Sequence, residues 1–273
     1  KKIMLLNLLY VLAGVIGGLI AGLTGLGTGI VMLGVIPIML APYGVPDSQI
    51  VSVIIANTIF ATLVSSFANV ITTMRQKMFF WKETLWVGVF AVIFSFLVFE
   101  WIVGSSFYSK TVFNSIIIGF MMIIILQTFR KLKLSTVQDE HVTPIKLTLT
   151  GVFGGTLAGF TGLGGGTVLI PLLNLWQKVD IKKAKSISFG VIFLIALWLT
   201  TYNMFFGDTL SVAGSQGLII FPLVLPLAIG VLIGSPLGVI ISQKMSSRAV
   251  TVVFLIMVSI VTIQKILDLA GLN

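Results

Sequence analysis

Two glycine-rich hexapeptides, one in each half of the chain, hold the residues whose types and spacing could do chemistry. They read Thr-Gly-Leu-Gly-Thr-Gly at residues 24–29 and Thr-Gly-Leu-Gly-Gly-Gly at residues 161–166. Glycine and threonine are poor helix formers, so each hexapeptide predicts a break inside a long apolar stretch. A helix that restarts after a break presents unpaired N–H groups and the positive end of its dipole, which together favour an anion.

We therefore expect the amides and threonine hydroxyls of both breaks to bind a small anion. The candidate substrate-binding residues are Thr24, Gly25, Gly27, Thr28, Gly29, Thr161, Gly162, Gly164, Gly165, Gly166 and Thr167. Asn57 and Ser188, two polar residues of the spans that follow the breaks, complete the set. The site would hold no Lys or Arg, because every basic residue falls in a loop or at the end of an apolar segment.

The two hexapeptides belong to a longer duplication. Aligning residues 14–31 with residues 151–168 gives 12 identities in 18 positions. Duplicated halves with interrupted helices are typical of membrane transporters, in which the substrate lies near the midplane where the repeats meet.

Composition places the chain in the membrane. Hydrophobic residues make up 57% of it, charged residues 9%, and the mean hydropathy is +1.15. The net charge of +9 comes from basic residues dispersed between apolar segments, which indicates topology signals and no nucleic-acid partner. The chain has no cysteine, and its one histidine, His141, lies in a polar connection, where we expect it to be solvated.

Six uninterrupted apolar segments are long enough to cross a bilayer as helices. They are residues 49–71, 84–103, 111–129, 186–205, 215–241 and 249–270. Two longer stretches, residues 3–41 and 147–176, contain the breaks. Too few apolar residues follow the second break to cross the bilayer again, so we predict a re-entrant hairpin there, and the first stretch either returns likewise or spans fully.

The basic residues favour re-entry in both halves. If each broken stretch returns to its side of entry, 13 of the 17 Lys and Arg residues share one face, which agrees with the positive-inside rule. The predicted fold is an all-α integral membrane protein of two inverted repeats, each a glycine-broken re-entrant helix pair plus three transmembrane helices. The repeats would cover residues 1–129 and 147–273, joined by a cytoplasmic connection at residues 130–146, with both termini outside.

Glycines spaced by four residues predict close helix packing and no ligand. They form three stripes: Gly14, Gly18 and Gly22; Gly151, Gly155 and Gly159; and Gly230, Gly234 and Gly238. Gly88 is the one hint of a first-half counterpart to the Gly230 stripe. Glu100, next to Trp101, is expected at the headgroup interface. No paired metal ligands, nucleophile with a base, or phosphate loop occurs, so neither catalysis nor a cofactor is expected.

Three alternatives stay open from the residues alone. The breaks could be kinks without a ligand. Their freed carbonyls could coordinate a cation, making the chain a cation transporter or channel, although such sites usually include an intramembrane carboxylate. The chain could also be a scaffold or sensor that transports nothing. Homo-oligomerisation, the coupling ion and the direction of transport are left undetermined.

The doubled motif resembles a known family. Gly14 to Gly29 and Gly151 to Gly166, each beginning Gly-x-x-Gly-Gly and running into Thr-Gly-Leu-Gly, are similar to the duplicated signature of the TauE/SafE sulfite and sulfonate exporters. The stretch Gly230 to Gly238 resembles that family's C-terminal glycine-rich helix. The resemblance implies a multi-pass permease of the cell inner membrane that exports small sulfur-containing anions such as sulfite, organosulfonates or sulfoacetate. The two breaks are not strictly equivalent, because the first has Thr28 where the second has Gly165.

Overall fold

Helices account for nearly all of the structure, a computed structural model that describes residues 2–103, 109–133, 143–161 and 164–271. Its α-helices in chain order are α1 (Lys2–Thr24), α2 (Gly29–Leu40), α3 (Ile50–Arg75), α4 (Trp81–Val98), α5 (Lys110–Lys133), α6 (Pro144–Thr161), α7 (Gly166–Pro171), α8 (Ile181–Phe205), α9 (Phe221–Lys244) and α10 (Ser247–Leu269). Two short π-helical turns follow α4 and α7, at Phe99–Val103 and Leu172–Trp176.

Six helices in the described part of the chain are long and apolar enough to cross a membrane. They cover Leu6–Thr24, Ile50–Arg75, Trp81–Ile102, Ile181–Phe205, Phe221–Lys244 and Arg248–Leu269. The all-α membrane class is therefore confirmed. The predicted segment 111–129 lies in α5, whose apolar part is the shorter Thr111–Leu126.

Both glycine hexapeptides interrupt their helices, as predicted. The first half loses helical geometry after Thr24 and regains it at Gly29, with Gly25 at φ +84° and Gly27 at φ +74°. In the second half, Gly164 and Gly165 have φ values of +69° and +77° ahead of α7. These φ values are favourable for glycine and strained for other residues, which explains the composition of the breaks. Gly162 and Leu163 lie outside the described residues.

Each broken stretch folds back on itself. The Tyr10 hydroxyl donates to the Met39 carbonyl at 3.4 Å, so the end of α2 lies beside the first half of α1. In the second half, Gln177 Nε2 donates to the Lys146 carbonyl at 3.0 Å, which joins the end of the hairpin to its beginning. Helix α2 has 12 residues and rises about 18 Å, little more than half of a bilayer core.

The contacts between helices follow the same pattern in the two halves. Helix α1 packs on α9 as α6 packs on α4, while α3 packs on α8 and α5 on α10. Helices α3 and α8 run antiparallel, because Ser186 near the start of α8 donates to the Met78 carbonyl just beyond α3. At the other end, Asn57 of α3 and Asn203 of α8 both bond to Leu218.

One end of the bundle gathers most of the basic residues and is called the basic face. Lys183 pairs with Glu83 at 3.3 Å, and Lys182 donates to the Gln243 carbonyl at 3.1 Å. These contacts, with that of Gln177 to Lys146, bring the ends of α3, α6, α7, α8 and α9 to one side. Basic residues at this face are Arg75, Lys77, Lys82, Lys146, Lys178, Lys182, Lys183, Lys244 and Arg248.

Residues 215–220 differ from the prediction that a span begins at residue 215. Ser215–Gln216 (β1) and Ile219–Ile220 (β2) form an antiparallel two-stranded ladder, and α9 begins only at Phe221. Gly214 and Gly217 have positive φ values, and Pro222 occupies the first turn of α9, where its missing N–H costs no hydrogen bond. The apolar residues of this segment cover the ends of α3 and α8.

The glycine stripes form seams in which backbones touch. A Cβ on Gly14 would lie 2.2 Å from the Leu227 carbonyl oxygen, and a Cβ on Gly234 would lie 2.1 Å from that of Val15. The stripe of α6 packs in the same way on α4, where Gly155 lies against the Ala91 carbonyl. The suggestion that Gly88 belongs to such a seam is wrong, because it faces Leu194 of α8.

A methyl group added inside a seam should destabilise the fold. Gly234→Ala forces α1 and α9 apart, at a cost of about 1–3 kcal/mol. Gly119→Ala in α5 is the matched control, since a Cβ there meets nothing within 4 Å and gains helix propensity of about 1 kcal/mol. Thermal unfolding in detergent should give a lower Tm for Gly234→Ala and an unchanged or higher Tm for Gly119→Ala. Equal Tm values would contradict the seam.

Candidate functional site

The two helix breaks lie against each other in the middle of the bundle. A Cβ on Gly166 would come within 2.7 Å of the Leu26 carbonyl oxygen, so the second break touches the first. Gly27 and Gly164 both face the Thr62 methyl group, at added-Cβ distances of 3.1 and 2.9 Å. Thr62 stands at the middle of α3, so the breaks meet halfway along that helix.

Four buried hydroxyls surround the point where the breaks meet. Thr28 Oγ1 lies 3.3 Å from Thr62 Oγ1 and donates to Ser65 Oγ at 3.5 Å. On the side of α8, Ser188 Oγ donates to the Gly25 carbonyl at 3.1 Å. All four side chains are fully buried. Hydroxyls can donate or accept by rotating, so this group can adapt to a polar ligand.

The restarting helices contribute amides from both breaks. Met32 N–H donates to the Thr28 carbonyl, so the amides of residues 29–31 are those that α2 leaves without an intrahelical acceptor. In the second break, the amides of Val168 and Leu169 both donate to the Gly165 carbonyl, and Gly166 and Thr167 precede them. Helix α7 has only six residues, so its dipole is smaller than that of α2.

Thr24 and Thr161 occupy equivalent positions at the ends of α1 and α6. Each hydroxyl donates back to a carbonyl of its own helix, Thr24 to Ile20 and Thr161 to Leu157, at 2.7 Å in both cases. These bonds are back-bonds within a helix, in which the hydroxyl shares the carbonyl that the helix itself uses. Thr24 also lines a small apolar slot between α10 and the second hairpin.

Lys185 is the functional candidate that sequence reasoning missed. It was predicted to lie in a loop of the basic face, but it lies within α8, 5% exposed. Its ammonium group donates to the Leu23 carbonyl at 2.6 Å and to Ser242 Oγ at 2.7 Å. The expectation that the breaks have no basic residue nearby is therefore wrong. The available signal was spacing, because Lys185 and Ser188 share a helix face.

Thr62 and Ser65 were also not among the candidate binding residues. Thr58, Thr62, Ser65 and Asn69 follow one another at intervals of four, three and four along α3. This spacing puts them on a single helix face and could have identified the polar stripe. The Thr58 hydroxyl and both polar atoms of the Asn69 amide are buried without a hydrogen-bond partner.

Asn57 lies away from the breaks. Its amide nitrogen donates to the carbonyls of Val53 and Leu218, and its carbonyl oxygen accepts from Ile220 N–H. Because both amide hydrogens and the carbonyl oxygen have protein partners, the geometry gives Asn57 a structural role. It ties the β1–β2 connection to α3.

A cavity of about 360 Å³ opens near the end of the bundle opposite the basic face. Its lining includes Glu100, Tyr202, Asn203 and Asp208. The Tyr202 hydroxyl donates to the exposed Glu100 carboxylate, which ties the end of α4 to α8. The two mouths of the bundle thus differ in charge: one is basic and the other carries carboxylates. No group of three or more potential metal ligands occurs among the described residues.

Comparisons with known proteins agree with one another. The family model described as sulfite exporter TauE/SafE matches residues 10–264. A probable membrane transporter protein of Methanocaldococcus jannaschii is 26% identical over 248 residues, which cover 90% of each chain. A second probable membrane transporter protein, from Haemophilus influenzae, is 22% identical over 262 residues, covering 95% of this chain and 98% of the other. No solved structure gives a significant match.

Removing the Asn57 side chain should loosen the β1–β2 connection. Asn57→Ala leaves the buried Leu218 carbonyl and Ile220 amide unpaired, which should cost about 1–3 kcal/mol. Hydrogen exchange should accelerate at residues 217–220, and Tm should fall. Thr72→Ala is the control, since its hydroxyl bonds only within α3, to the Ala68 carbonyl. If residues 217–220 exchange as slowly as in the unmodified protein, Asn57 does not hold the β1–β2 connection to α3.

Proposed function

We propose a function from the premise that the chain belongs to the TauE/SafE sulfite exporter family and is a multi-pass membrane transporter. Its substrate is a small sulfur-containing anion such as sulfite, an organosulfonate or sulfoacetate. The anion binds where the two breaks meet and leaves the cell across the inner membrane. Alternating access of two inverted repeats carries it.

The observation that carries this proposal is the contact between the breaks. Polar groups converge there: the first amides of α2, which have no intrahelical acceptor, and the hydroxyls of Thr28, Thr62 and Ser65, which bond to one another and to the Thr62 carbonyl and can rotate toward a ligand. An oxyanion has several weak acceptor oxygens, and each can take one N–H or O–H donor. Backbone that leaves its helix inside a membrane is tolerated only where protein or a water-filled path surrounds it.

The antiparallel course of α3 and α8 supports the inverted relation of the halves. These helices hold corresponding places in the two halves, and the breaks pack between them at mid-length. The seams suggest which parts move together, because each seam joins a broken helix of one half to a helix of the other. We propose that the α1–α9 pair and the α4–α6 pair rock against α3 and α8.

Charge at the two mouths favours export. The basic face corresponds to the cytoplasmic side under the positive-inside rule, and it concentrates anions at that mouth. The opposite cavity carries Glu100 and Asp208, whose negative charge opposes re-entry of an anion. These carboxylates therefore repel a released anion away from the cavity.

The cation alternative is disfavoured by the state of the freed carbonyls. Those of Leu23 and Gly25 already accept hydrogen bonds, from Lys185 and Ser188. A cation would have to displace an ammonium group of its own sign. Two carboxylates in the described part of the basic face, Glu83 and Asp180, already contact a lysine side chain and lysine backbone amides.

Substitution of Gly27 should abolish transport without unfolding the protein. A Cβ there would lie 3.1 Å from the Thr62 methyl group and would force a non-glycine residue to hold a positive φ. Gly27→Ala should therefore reshape the break, and efflux of radiolabelled sulfite or taurine from proteoliposomes should fall at least about tenfold, as for a loss of 1.4 kcal/mol in binding.

Gly44→Ala is the matched control. Gly44 has φ +61° in the connection between α2 and α3, and a Cβ there meets nothing within 4 Å. Both variants carry the strain of a positive φ, about 1–2 kcal/mol, so only the position differs. Thermal shifts with a panel of sulfur oxyanions should appear in the unmodified protein and in Gly44→Ala. Transport by Gly27→Ala at the rate of the control would refute the site.

A further inference from the structure

The amino group of Lys185 is buried in the interior, and its partners among the described residues carry no negative charge. Its ammonium group contacts two neutral oxygens, those of the Leu23 carbonyl and the Ser242 hydroxyl. Two carboxylates in the described part of the basic face lie close in sequence or space to its helix. Glu83 pairs with Lys183, and Asp180 caps the start of α8 by accepting from the amides of Lys182 and Lys183.

An ammonium group buried against neutral partners is costly, because it has lost its hydration and gained no opposite charge. A mobile anion would supply that charge. Lys185 also stands beside the first break, since a Cβ on Gly25 would lie 2.6 Å from its Cγ. One turn further along the same face, Ser188 contacts the Gly25 carbonyl. Lysine and serine therefore form a donor pair along one side of the break.

We infer that Lys185 is the counter-charge of the transported oxyanion and, while no anion is bound, the latch that ties the α1–α9 pair to α8. This inference rests on the proposed function, because it assigns to the same site a residue that pairs with the charge of the bound anion. Leu23 belongs to α1, Lys185 to α8 and Ser242 to α9, so a single ammonium group joins three helices near the basic face.

The exchange of partners follows from bond strengths. The present bonds join the ammonium group to two neutral oxygens, whereas a bond to an oxyanion also pairs two opposite charges in a site shielded from water. An oxyanion that enters from the basic face therefore draws the Lys185 ammonium away from Leu23 and Ser242. The end of α1 is then free to move relative to α8. Binding of the anion and loss of the Lys185 bonds that hold α1 to α8 therefore occur in the same step.

A purely structural role for Lys185 makes a different prediction. A lysine near the end of a helix can cap its last carbonyls and interact with the negative end of its dipole. If Lys185 only capped α1, its removal would lower stability but leave the relative affinities for anions of different charge unchanged. The affinity ratio for a dianion and a monoanion therefore separates the two roles.

The test uses the full chain in detergent with sulfate and methanesulfonate as dianion and monoanion probes, measured by calorimetry and thermal shift. Lys185→Gln should weaken sulfate binding roughly ten- to a hundredfold, the range for a hydrogen bond to a charged group. Methanesulfonate binding should weaken less. Lys185→Arg should restore most of the affinity. Lys183→Gln, which removes the same charge from the same helix at the Glu83 ion pair, should leave both affinities within about twofold, as for a surface pair.

A second variant tests the latch without touching the charge. Ser242→Ala removes one neutral partner of the ammonium group, so sulfate should bind more tightly, by roughly tenfold or more for one hydrogen bond to a charged group. This outcome stays measurable if Lys185→Gln does not fold.

The failures are distinguishable. Sulfate affinity unchanged in both Lys185→Gln and Ser242→Ala, with Gly27→Ala still impaired, would overturn the inference and leave the proposed function standing. An equal loss for sulfate and methanesulfonate in Lys185→Gln would also overturn it. If the unmodified protein binds no anion and transports none, the inference falls together with the proposed function.

Discussion

The constraint that governs this structure is the need to satisfy backbone groups where helices stop inside an apolar bundle. Unpaired carbonyl and amide groups cost several kcal/mol in hydrocarbon, so a break persists only where partners are supplied. The protein satisfies the carbonyl side of the first break from within: Gly25 N–H donates to the Ala21 carbonyl, while Lys185 and Ser188 donate to the carbonyls of Leu23 and Gly25. The amide side faces hydroxyls, which can turn toward a ligand. We therefore propose that the two sides of the break have different roles: the carbonyl side is structural, and the amide side binds the substrate.

Close packing of α1 on α9 and of α6 on α4 makes room for this arrangement. Glycines at intervals of four let the two backbones come into contact. In lipid the hydrophobic effect does not drive helices together, so these van der Waals contacts stabilise the pair. The seams cross between the halves, so neither half is a rigid body by itself. Helix α4 reaches the same closeness with Ala91 and Ser95 where α9 has glycine, which leaves the two seams unequal. Unequal seams imply that the two pairs need not move by the same amount.

Sequence reasoning reached the breaks, the spans, the hairpins and the packing stripes because each leaves a local or periodic signal. Glycine-rich interruptions, the length of an apolar segment and the positions of basic residues can each be recognised from residues that are close together in the chain. What it missed depends on partners distant in sequence. Lys185 follows two surface lysines and reads as part of their cluster, yet one further turn of α8 carries it under the end of α1. Gly88 matches the stripe spacing but faces α8, because the face that α4 turns to α6 depends on the whole bundle. The segment 215–220 ends in three apolar residues, Leu218, Ile219 and Ile220, which are buried like those of a span although the segment forms a ladder.

In the site that we propose, selectivity for an anion follows from the position of Lys185, which is buried next to the break, whereas Lys265, also buried, pairs with Asp268. A ring of lysines at the basic face attracts any anion, but it is solvated and screened within about 8 Å at physiological ionic strength. Lys185 lies beyond that ring, next to the break, where the surroundings are apolar and an unpaired ammonium is unfavourable. The field there acts on a desolvated guest at contact distance, so it discriminates by charge far more strongly than the face does. A neutral solute would gain only hydroxyl and amide contacts, and a cation would meet repulsion from Lys185 with no carboxylate nearby to offset it. In the proposed site, the glycine breaks provide the shape and the hydrogen-bond donors, and Lys185 selects the sign of the charge.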